Sequence, residues 1–454
     1  MKVLLINPHI PDVYHKLGFL LPPLGLAYLA STAIERGHKV DILDLNLTAG
    51  AEEIEFKKYS VIGISLDTSR YNSAIKIAKQ AMAEGNTVVI GGPHASFTAD
   101  NLLNKGLAHY VVRGEGEVIF AELLDSLENN GDAAHVDGIS FMKNGQIINN
   151  PDSLPQNNIE AIPFPARDVL SMEGYKKLRL GGRLITSLVT SRGCPYNCEF
   201  CSSSKFSGMA WRKRGAVDIV NEVESIIKDY GFGAVCFMDD CFTIDPKRVI
   251  DICDEMEKRS LDIFWWCFSR GDIILKNEEM VKRMAESGCR YVFMGIESGS
   301  DELLKDAKKN VNYNDSISAV EFLNKYGIET MGSFIIGWSD ETKKMVKKTL
   351  KQSRKMGLGG AQYTILTPYP GTDLYNKYKK KIFESDWSRF DCHHSVMHLK
   401  YLKPKDLERL LKIGFLSFYF TPKRIFRALI SPLRGKGVGI ATIGKIWNYF
   451  VGKG

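Results

Sequence analysis

The sequence runs twice through the same alternation of a short apolar run and a stretch of helical periodicity. Val3-Leu4-Leu5-Ile6 is the first such run and has no polar residue on either face. A strand of that kind must be covered on both sides, which is the condition of a parallel sheet held between helices. Strands are predicted at 3–6, 39–43, 61–65, 88–90 and 110–112, with helices at 23–36 and 73–84. They make residues 1–135 a doubly wound α/β, Rossmann-like domain. Ligands of such sheets bind beyond the carboxyl ends of the strands. Ser65, Gly91-Gly92 and Gly114-Glu115 fall there.

Residues 139–149 read as a hairpin turning at Asn144-Gly145. Four prolines (Pro151, Pro155, Pro163, Pro165) and little periodicity make the rest of 136–182 an interdomain linker. The second alternation begins at Leu184. Strands are expected at 185–190, 234–238, 263–267, 291–294, 330–336 and 362–366. Helices fit at 217–230, 247–259, 278–287, 314–326 and 341–356. Six strand–helix units predict a partial (β/α)6 barrel over 183–400, open on one side. Residues 401–454 form a basic helical C-terminal region.

A chain of 454 residues has room for these parts, and nothing in it is repetitive or of low complexity. No stretch reaches the ~18 uninterrupted apolar residues of a membrane span, and the first strand leaves no place for a signal peptide. The expected location is cytoplasmic.

Nine cysteines are present, none before residue 194. A disulfide framework would be spread evenly through a small secreted chain. Here Cys194, Cys198 and Cys201 lie on one loop with C-x3-C-x2-C spacing. Three thiolates so placed can each reach a different iron of a cubane and leave the fourth iron without a protein ligand. The open position is what a catalytic metal requires. The competing readings are a zinc site short of one ligand and plain core cysteines. Cys236, Cys241, Cys253, Cys267 and Cys289 stand singly in predicted elements and read as small core residues. Cys392-His393-His394 with His398 supplies one thiol, too few to support a second cluster.

At the three cysteines the sequence resembles the radical S-adenosylmethionine superfamily. The resemblance implies a [4Fe-4S] cluster whose open iron chelates S-adenosylmethionine, and one-electron cleavage to methionine and a 5′-deoxyadenosyl radical. It also implies an electron donor such as flavodoxin or ferredoxin. Phe200, before the last cysteine, matches the position lying against adenine. Asp239 and Asp240 end the second barrel strand, where the family keeps an acid for the methionine ammonium. A helix N-cap by Asp240 or Asp245 is the alternative there. Arg270 follows the third strand and would complement the methionine carboxylate, or stand solvated. Glu297-Ser298 after the fourth strand resembles the ribose-binding element. Ile335 and Gly337 belong to a fifth-strand motif bordering adenine. The residues that follow are Trp338-Ser339-Asp340, where relatives often have Leu-Pro-Gly. Thr367-Pro368-Tyr369-Pro370-Gly371-Thr372 resembles the sixth-strand loop of cobalamin-binding members.

The N-terminal half resembles the cobalamin-binding domain of that subgroup through residues 22–29, 91–95 and 113–117. Ser65, Gly91, Gly92, His94, Gly114 and Glu115 are the candidate cofactor contacts. The glycines let a macrocycle or its nucleotide tail approach the backbone. Asp12, His15 and Gly18 come near an Asp-x-His-x-x-Gly cobalt-ligand motif, but one residue too many separates Asp12 from His15, which is read as a non-ligand. The resemblance implies methyl transfer to an unactivated carbon, with cobalamin-assisted cyclisation or rearrangement of a lipid, isoprenoid or porphyrin-like substrate as the alternative. Methylthiolation would require N-terminal cysteines. A non-catalytic cluster module would lack the downstream elements around Asp239, Arg270 and Glu297.

The net charge of +7 resides in the tail: residues 411–454 hold eight basic and no acidic residues. Phe415, Phe418, Tyr419, Phe420, Ile425, Phe426, Leu429 and Ile430 lie among them. The pattern fits an interfacial helix on anionic lipid or a docked helix with a solvated basic face. Nucleic acid is not expected, since no reader fold accompanies the charge. The expected substrate is a small molecule or lipid.

Overall fold

The computed structural model of the protein describes residues 1–10, 18–48, 53–129, 131–434 and 440–451. Strands β1 (Lys2–Asn7), β2 (Lys39–Asp44), β3 (Val61–Ser65), β4 (Thr87–Gly91) and β5 (Tyr110–Val112) are parallel and lie in the order β2-β1-β3-β4-β5. The strand order reverses between β1 and β3, where a doubly wound sheet opens its ligand crevice. The apolar run of β1 serves both faces: Val3 and Leu5 enter one core, Leu4 and Ile6 the other, all at most 4% exposed.

The hairpin forms as β6 (Ile139–Lys143) and β7 (Gln146–Asn149). Asn144 and Gly145 both have positive φ, 51° and 76°, as a two-residue type I′ turn demands. β6 pairs antiparallel with β5, so the hairpin extends the first sheet to seven strands instead of standing in the linker. Residues 150–182 are anchored on both sides. Ile159, Ile162, Leu170, Met172 and Tyr175 are buried. The Tyr175 hydroxyl donates to Asp44 at the end of β2 (2.7 Å), and Arg167 pairs with buried Glu222 of the barrel (2.7 Å). Isolated anchors of this kind leave no periodic trace in a sequence.

The second sheet follows. An edge strand β8 (Arg179–Leu180) pairs antiparallel with β9 (Arg183–Leu188). A short ribbon, β10 (Ser191–Arg192) with β11 (Arg212–Lys213), brackets the cysteine loop. Strands β12 (Ala234–Phe237), β13 (Phe264–Ser269), β14 (Cys289–Glu297), β15 (Glu329–Ile336) and β16 (Gly360–Ile365) complete a sheet ordered β8-β9-β12-β13-β14-β15-β16. The six strands from β9 to β16 are parallel and make an open half-barrel. Its convex face is sealed by helices, with Trp265 and Cys267 of β13 fully buried. Phe264, Trp266 and Phe268 alternate with them on the concave face and are only half-buried.

The helix Pro404–Tyr419 covers the open edge along β16. It starts near Gly337, where a Cβ would meet Leu407, and ends with the Tyr419 hydroxyl bonded to both the N–H and C=O of Ala361. Phe415, Phe418 and Tyr419 are therefore barrel core, not lipid-facing tail. The helix Pro422–Arg434 lies at the amino ends of the strands: Arg424 donates to the Leu358 carbonyl (3.2 Å) and Arg427 approaches Glu329 (3.5 Å). This is the end opposite the cysteine loop. Phe426, Leu429 and Trp447 remain exposed. Among the described residues no helix is long and apolar enough to cross a membrane.

Candidate functional site

The cysteine loop leaves β9 through Thr190 and Ser191. Gly193 sits at φ +82°, and a Cβ there would lie 2.4 Å from the Ala210 carbonyl, so any side chain would break the turn. The Cys194 N–H donates to the Gly208 carbonyl (3.3 Å), and the Cys201 N–H to the Cys198 carbonyl (3.1 Å). Glu199 ties the loop to its neighbours, donating to the Ala307 carbonyl and accepting from the Leu374 N–H. Cys198 is buried, while Cys194 and Cys201 are half-exposed. Burial raises the Cys194 thiol, and the proximity of the Cys201 and Cys198 thiols raises it further. Burial also raises Cys198, against the pull of the Lys309 ammonium and Arg270 guanidinium.

Asp239 and Asp240 divide their tasks. Asp239 is 1% exposed. Its carboxylate accepts from the Thr190 N–H (2.6 Å), the Thr190 hydroxyl (2.5 Å) and the Ser191 hydroxyl (2.5 Å). These bonds fix the start of the cysteine loop. Asp240 faces a cavity, and burial among its neighbours raises its carboxyl pKa. Arg270 is engaged within the protein: Nε and Nη2 bind Asp272 and the Lys309 carbonyl, and the guanidinium stacks 3.7 Å over the Tyr196 ring. It holds the cysteine loop from below. Glu297, at φ +62°, pairs with Lys309 (2.8 Å), and both are buried. Ser298 is buried and accepts from the Ser300 N–H (3.2 Å). Sequence reasoning missed Lys309, one of two adjacent lysines, because only tertiary packing distinguishes it from its neighbour. It also missed the task of Trp338, which packs edge-on against Phe200 (5.7 Å) beside half-buried Ile335.

A cavity of about 340 Å³ runs from the first sheet to the barrel. Ser65, Gly91, Gly92, Gly114 and Glu115 line it from one side, Ser191, Arg192, Met238 and Asp240 from the other. A Cβ on Gly25 or Gly114 would meet nothing within 4 Å, so side chains there would fill it. Glu115 is held by Arg212 and Arg192, and Glu117 by Arg192, across the two halves of the chain. His94 does not line this cavity. It accepts or donates at Thr68 (3.0 Å), packs on Tyr71 and Trp387, and borders a separate cavity of about 540 Å³. Burial lowers its imidazole to about 4. His15 lies outside the described residues.

Comparison with known proteins agrees with this arrangement. A profile of the Radical SAM superfamily matches residues 188–352, and one of the B12 binding domain matches 10–124. An uncharacterised methyltransferase of Pyrococcus horikoshii is 37% identical over 94% of this chain and 94% of its own. The chain belongs to the cobalamin-binding radical S-adenosylmethionine enzymes. The hopanoid C-3 methylase of Methylococcus capsulatus is 28% identical over 91% of this chain and 79% of its own. The radical S-adenosylmethionine methyltransferase TsrM of Kitasatospora setae, solved with cobalamin and a [4Fe-4S] cluster, shares the fold with a TM-score of 0.71. Its identity is 18%, over 93% of this chain and 89% of that one.

This cobalamin-binding radical enzyme therefore uses a [4Fe-4S] cluster, S-adenosylmethionine and cobalamin. Its residues fit them. Cys194, Cys198 and Cys201 share one loop, and three thiolates so spaced can each take a separate iron of a cubane. The glycine-lined cavity leaves open space beyond the carboxyl ends of β3 and β4, where ligands of such sheets bind.

Glu341 controls the loop after β15. Its Oε2 accepts from the Gly337 N–H (2.6 Å) and the Trp338 N–H (3.3 Å), Oε1 has no partner, and the residue is 0% exposed. Burial raises its carboxyl from 4.5 to about 7, against those two donors. The folded protein thus binds a proton that the unfolded chain releases, and stability falls as pH rises from about 4.5 to about 7. The loss is at most about 3 kcal/mol. Glu341→Gln keeps an acceptor for both N–H groups and should remove this decline. Urea midpoints of the two proteins at pH 5 and pH 7.5 measure it: wild type should lose more than the variant.

Proposed function

We propose that this enzyme transfers a methyl group to an unactivated carbon. The observation that carries the reading is the cavity shared by the two halves: it opens from the glycine-lined edge of the first sheet onto Ser191, Met238 and Asp240, next to the cysteine loop. When bound, the cluster and S-adenosylmethionine supply a 5′-deoxyadenosyl radical, and cobalamin supplies the methyl group. The chain's own residues position and exclude water. Phe200, Ile335 and Gly337, with Trp338, form an apolar wall suited to adenine. Asp240, which lines the cavity, offers an acid for the methionine ammonium, while Asp239 is engaged by Thr190 and Ser191. Glu297 with Ser298 and Lys309 presents polar groups for the ribose and carboxylate ends. Ser65, Gly91, Gly92 and Gly114 cradle the cobalamin tail. A flavodoxin or ferredoxin delivers the electron.

Cells with and without the gene, fed methionine carrying an isotopic label on its methyl carbon, test this by mass spectrometry of small-molecule and lipid extracts. One compound should gain the labelled methyl only when the gene is present. A gene-dependent product that loses hydrogen and gains no label would replace methyl transfer by cyclisation.

Peripheral contact with anionic membrane belongs to the same proposal, at the amino-end face of the barrel. Exposed Phe426 and Leu429 flank Arg427, and Lys423 is exposed beside them. Each basic residue near an anionic leaflet contributes about 1 kcal/mol, screened within a Debye length. Full-length protein should co-sediment with phosphatidylserine vesicles at low salt and be released at high salt. A chain ending at residue 421, which keeps the docked Phe415, Phe418 and Tyr419, should stay in solution. Equal sedimentation of the two would remove the tail as a membrane element.

A further inference from the structure

The concave face of the half-barrel carries a second kind of information. Phe264, Trp266 and Phe268 of β13 and Phe293 of β14 make an aromatic wall, in which Trp266, Phe268 and Phe293 are in ring contact. Ring centroids stand 5.1 Å apart for Trp266–Phe268 and 4.9 Å for Phe268–Phe293. All four are half-buried, while their neighbours on the convex side are fully buried. Phe264 is covered by two guanidiniums, while Trp266, Phe268 and Phe293, half-buried on a concave surface, suit an apolar molecule.

The floor of that surface is charged. β13 and β14 slip register between Trp265 and Trp266: Trp265 faces Cys289 and Trp266 faces Tyr291. Arg290 is the extra residue of this bulge, and bulges re-aim side chains. Its guanidinium lies 4.1 Å from the Phe264 ring centroid, and that of Arg183, at the start of β9, lies 4.0 Å from the same ring. Arg183 is neutralised by Asp262 (2.9 Å). Arg290 has neither an ion pair nor a hydrogen bond to a described residue. Burial first, and the Arg183 charge after it, press its pKa downward. Two guanidiniums on one ring with one carboxylate between them leave a positive charge without its anion.

We infer that the half-barrel takes an amphiphile: an apolar body against Trp266, Phe268 and Phe293, and a carboxylate or phosphate at Arg290. The inference rests on the methyl-transfer reading and names its substrate class. From Phe264 to Ser269 the wall spans about 16 Å at roughly 3.3 Å per residue. A molecule anchored at the floor therefore presents its far end at the mouth, where the cysteine loop lies. The anion would form charge-assisted bonds to a fork that already faces it.

Fluorescence energy transfer from tryptophan to cis-parinaric acid tests this on the full-length holoenzyme, with the uncharged methyl ester alongside. The acid should bind wild type at least 10-fold more tightly than the ester. Arg290→Met should abolish that difference and Arg290→Lys retain it. Trp266→Phe should lower the transfer, which separates the barrel from adsorption on exposed Phe426 and Trp447. Laurate or dodecyl phosphate should displace the probe, and dodecanol should not. Unchanged cluster absorption reports an intact barrel in each variant. Equal binding of acid and ester to wild type, or undiminished transfer in Trp266→Phe, overturns the inference, and neither result depends on Arg290→Met folding. If 5′-deoxyadenosine and methyl transfer are seen without this discrimination, the substrate class falls and the reaction stands. Discrimination without methyl transfer leaves the amphiphile site standing and removes the reaction.

Discussion

Replacing Cys194, Cys198 and Cys201 together by Ala should leave a folded protein that holds no cluster and forms no 5′-deoxyadenosine. The stability effect is small, because Cys194 and Cys201 are half-exposed and only Cys198 is buried. The loop keeps its shape through contacts that do not involve sulfur: the backbone bonds at Gly208 and Ala307, and the Arg270–Tyr196 stack. What disappears is the only set of thiolates on the loop. Iron content should fall from about four per chain to background, and the visible iron–sulfur absorption with it. Cys267→Ala is the control. Cys267 is 0% exposed between the sheet and its helices, so its loss should cost about 1–2 kcal/mol of packing and leave the iron in place. A triple variant that still bound four irons, or a Cys267 variant that lost them, would move the cluster off the 194–201 loop.

The parts of this protein that were legible in its sequence are those where one physical demand acts on every residue of an element. β1 and β3 are apolar over residues 3–6 and 61–64 because both faces are covered there, and the helices carry one apolar stripe because one face is. The C-x3-C-x2-C loop was legible because its three cysteines lie within eight residues of one another. Residues whose task depends on a distant partner were not. Asp239 and Asp240 are adjacent acids, and the alternation that continues from β12 sends one inward and the other toward the cavity. That alternation alone separates the two, but only Thr190 and Ser191, nearly fifty residues earlier, show what the inward one does. Arg270 is claimed by the Lys309 carbonyl and Tyr196, His94 by Thr68 and Trp387, and neither pairing leaves a trace in local spacing. Tyr175 and Arg167 sit among prolines that read as linker, although each bonds a buried acid on a different half of the chain. In the tail, composition alone grouped Phe415 and Phe418 with Phe426, whereas the first two close the barrel and the third faces outward.

Glu115→Ala should be the most damaging single substitution away from the cysteines. Glu115 accepts from Arg212 Nη1 (2.8 Å) and Arg192 Nη1 (3.4 Å), and Glu117 takes Arg192 Nη2 (2.7 Å). The four side chains are between 6% and 13% exposed. Burial works against charge on Arg192, yet Glu117 and Glu115 outweigh it and hold its pKa above the ordinary value. Removing Glu115 leaves Arg212 with two neutral acceptors, the carbonyls of Gln156 and Ser207 (each 2.9 Å). An ion stripped of its buried partner costs about 3–5 kcal/mol. Because the pairs join the first sheet to the ribbon beside the cysteine loop, the loss should appear as a lower urea midpoint and as weaker retention of cobalamin, if the cavity that Glu115 borders is the one proposed for its tail. Pairing the substitution with Arg212→Met removes the stranded charge and should recover much of the stability, while cobalamin retention stays low if the joint between the halves is what keeps the cavity closed. A Glu115→Ala protein that unfolds within about 0.5 kcal/mol of wild type, as an ordinary surface substitution does, would show that these buried charges do not hold the two halves together.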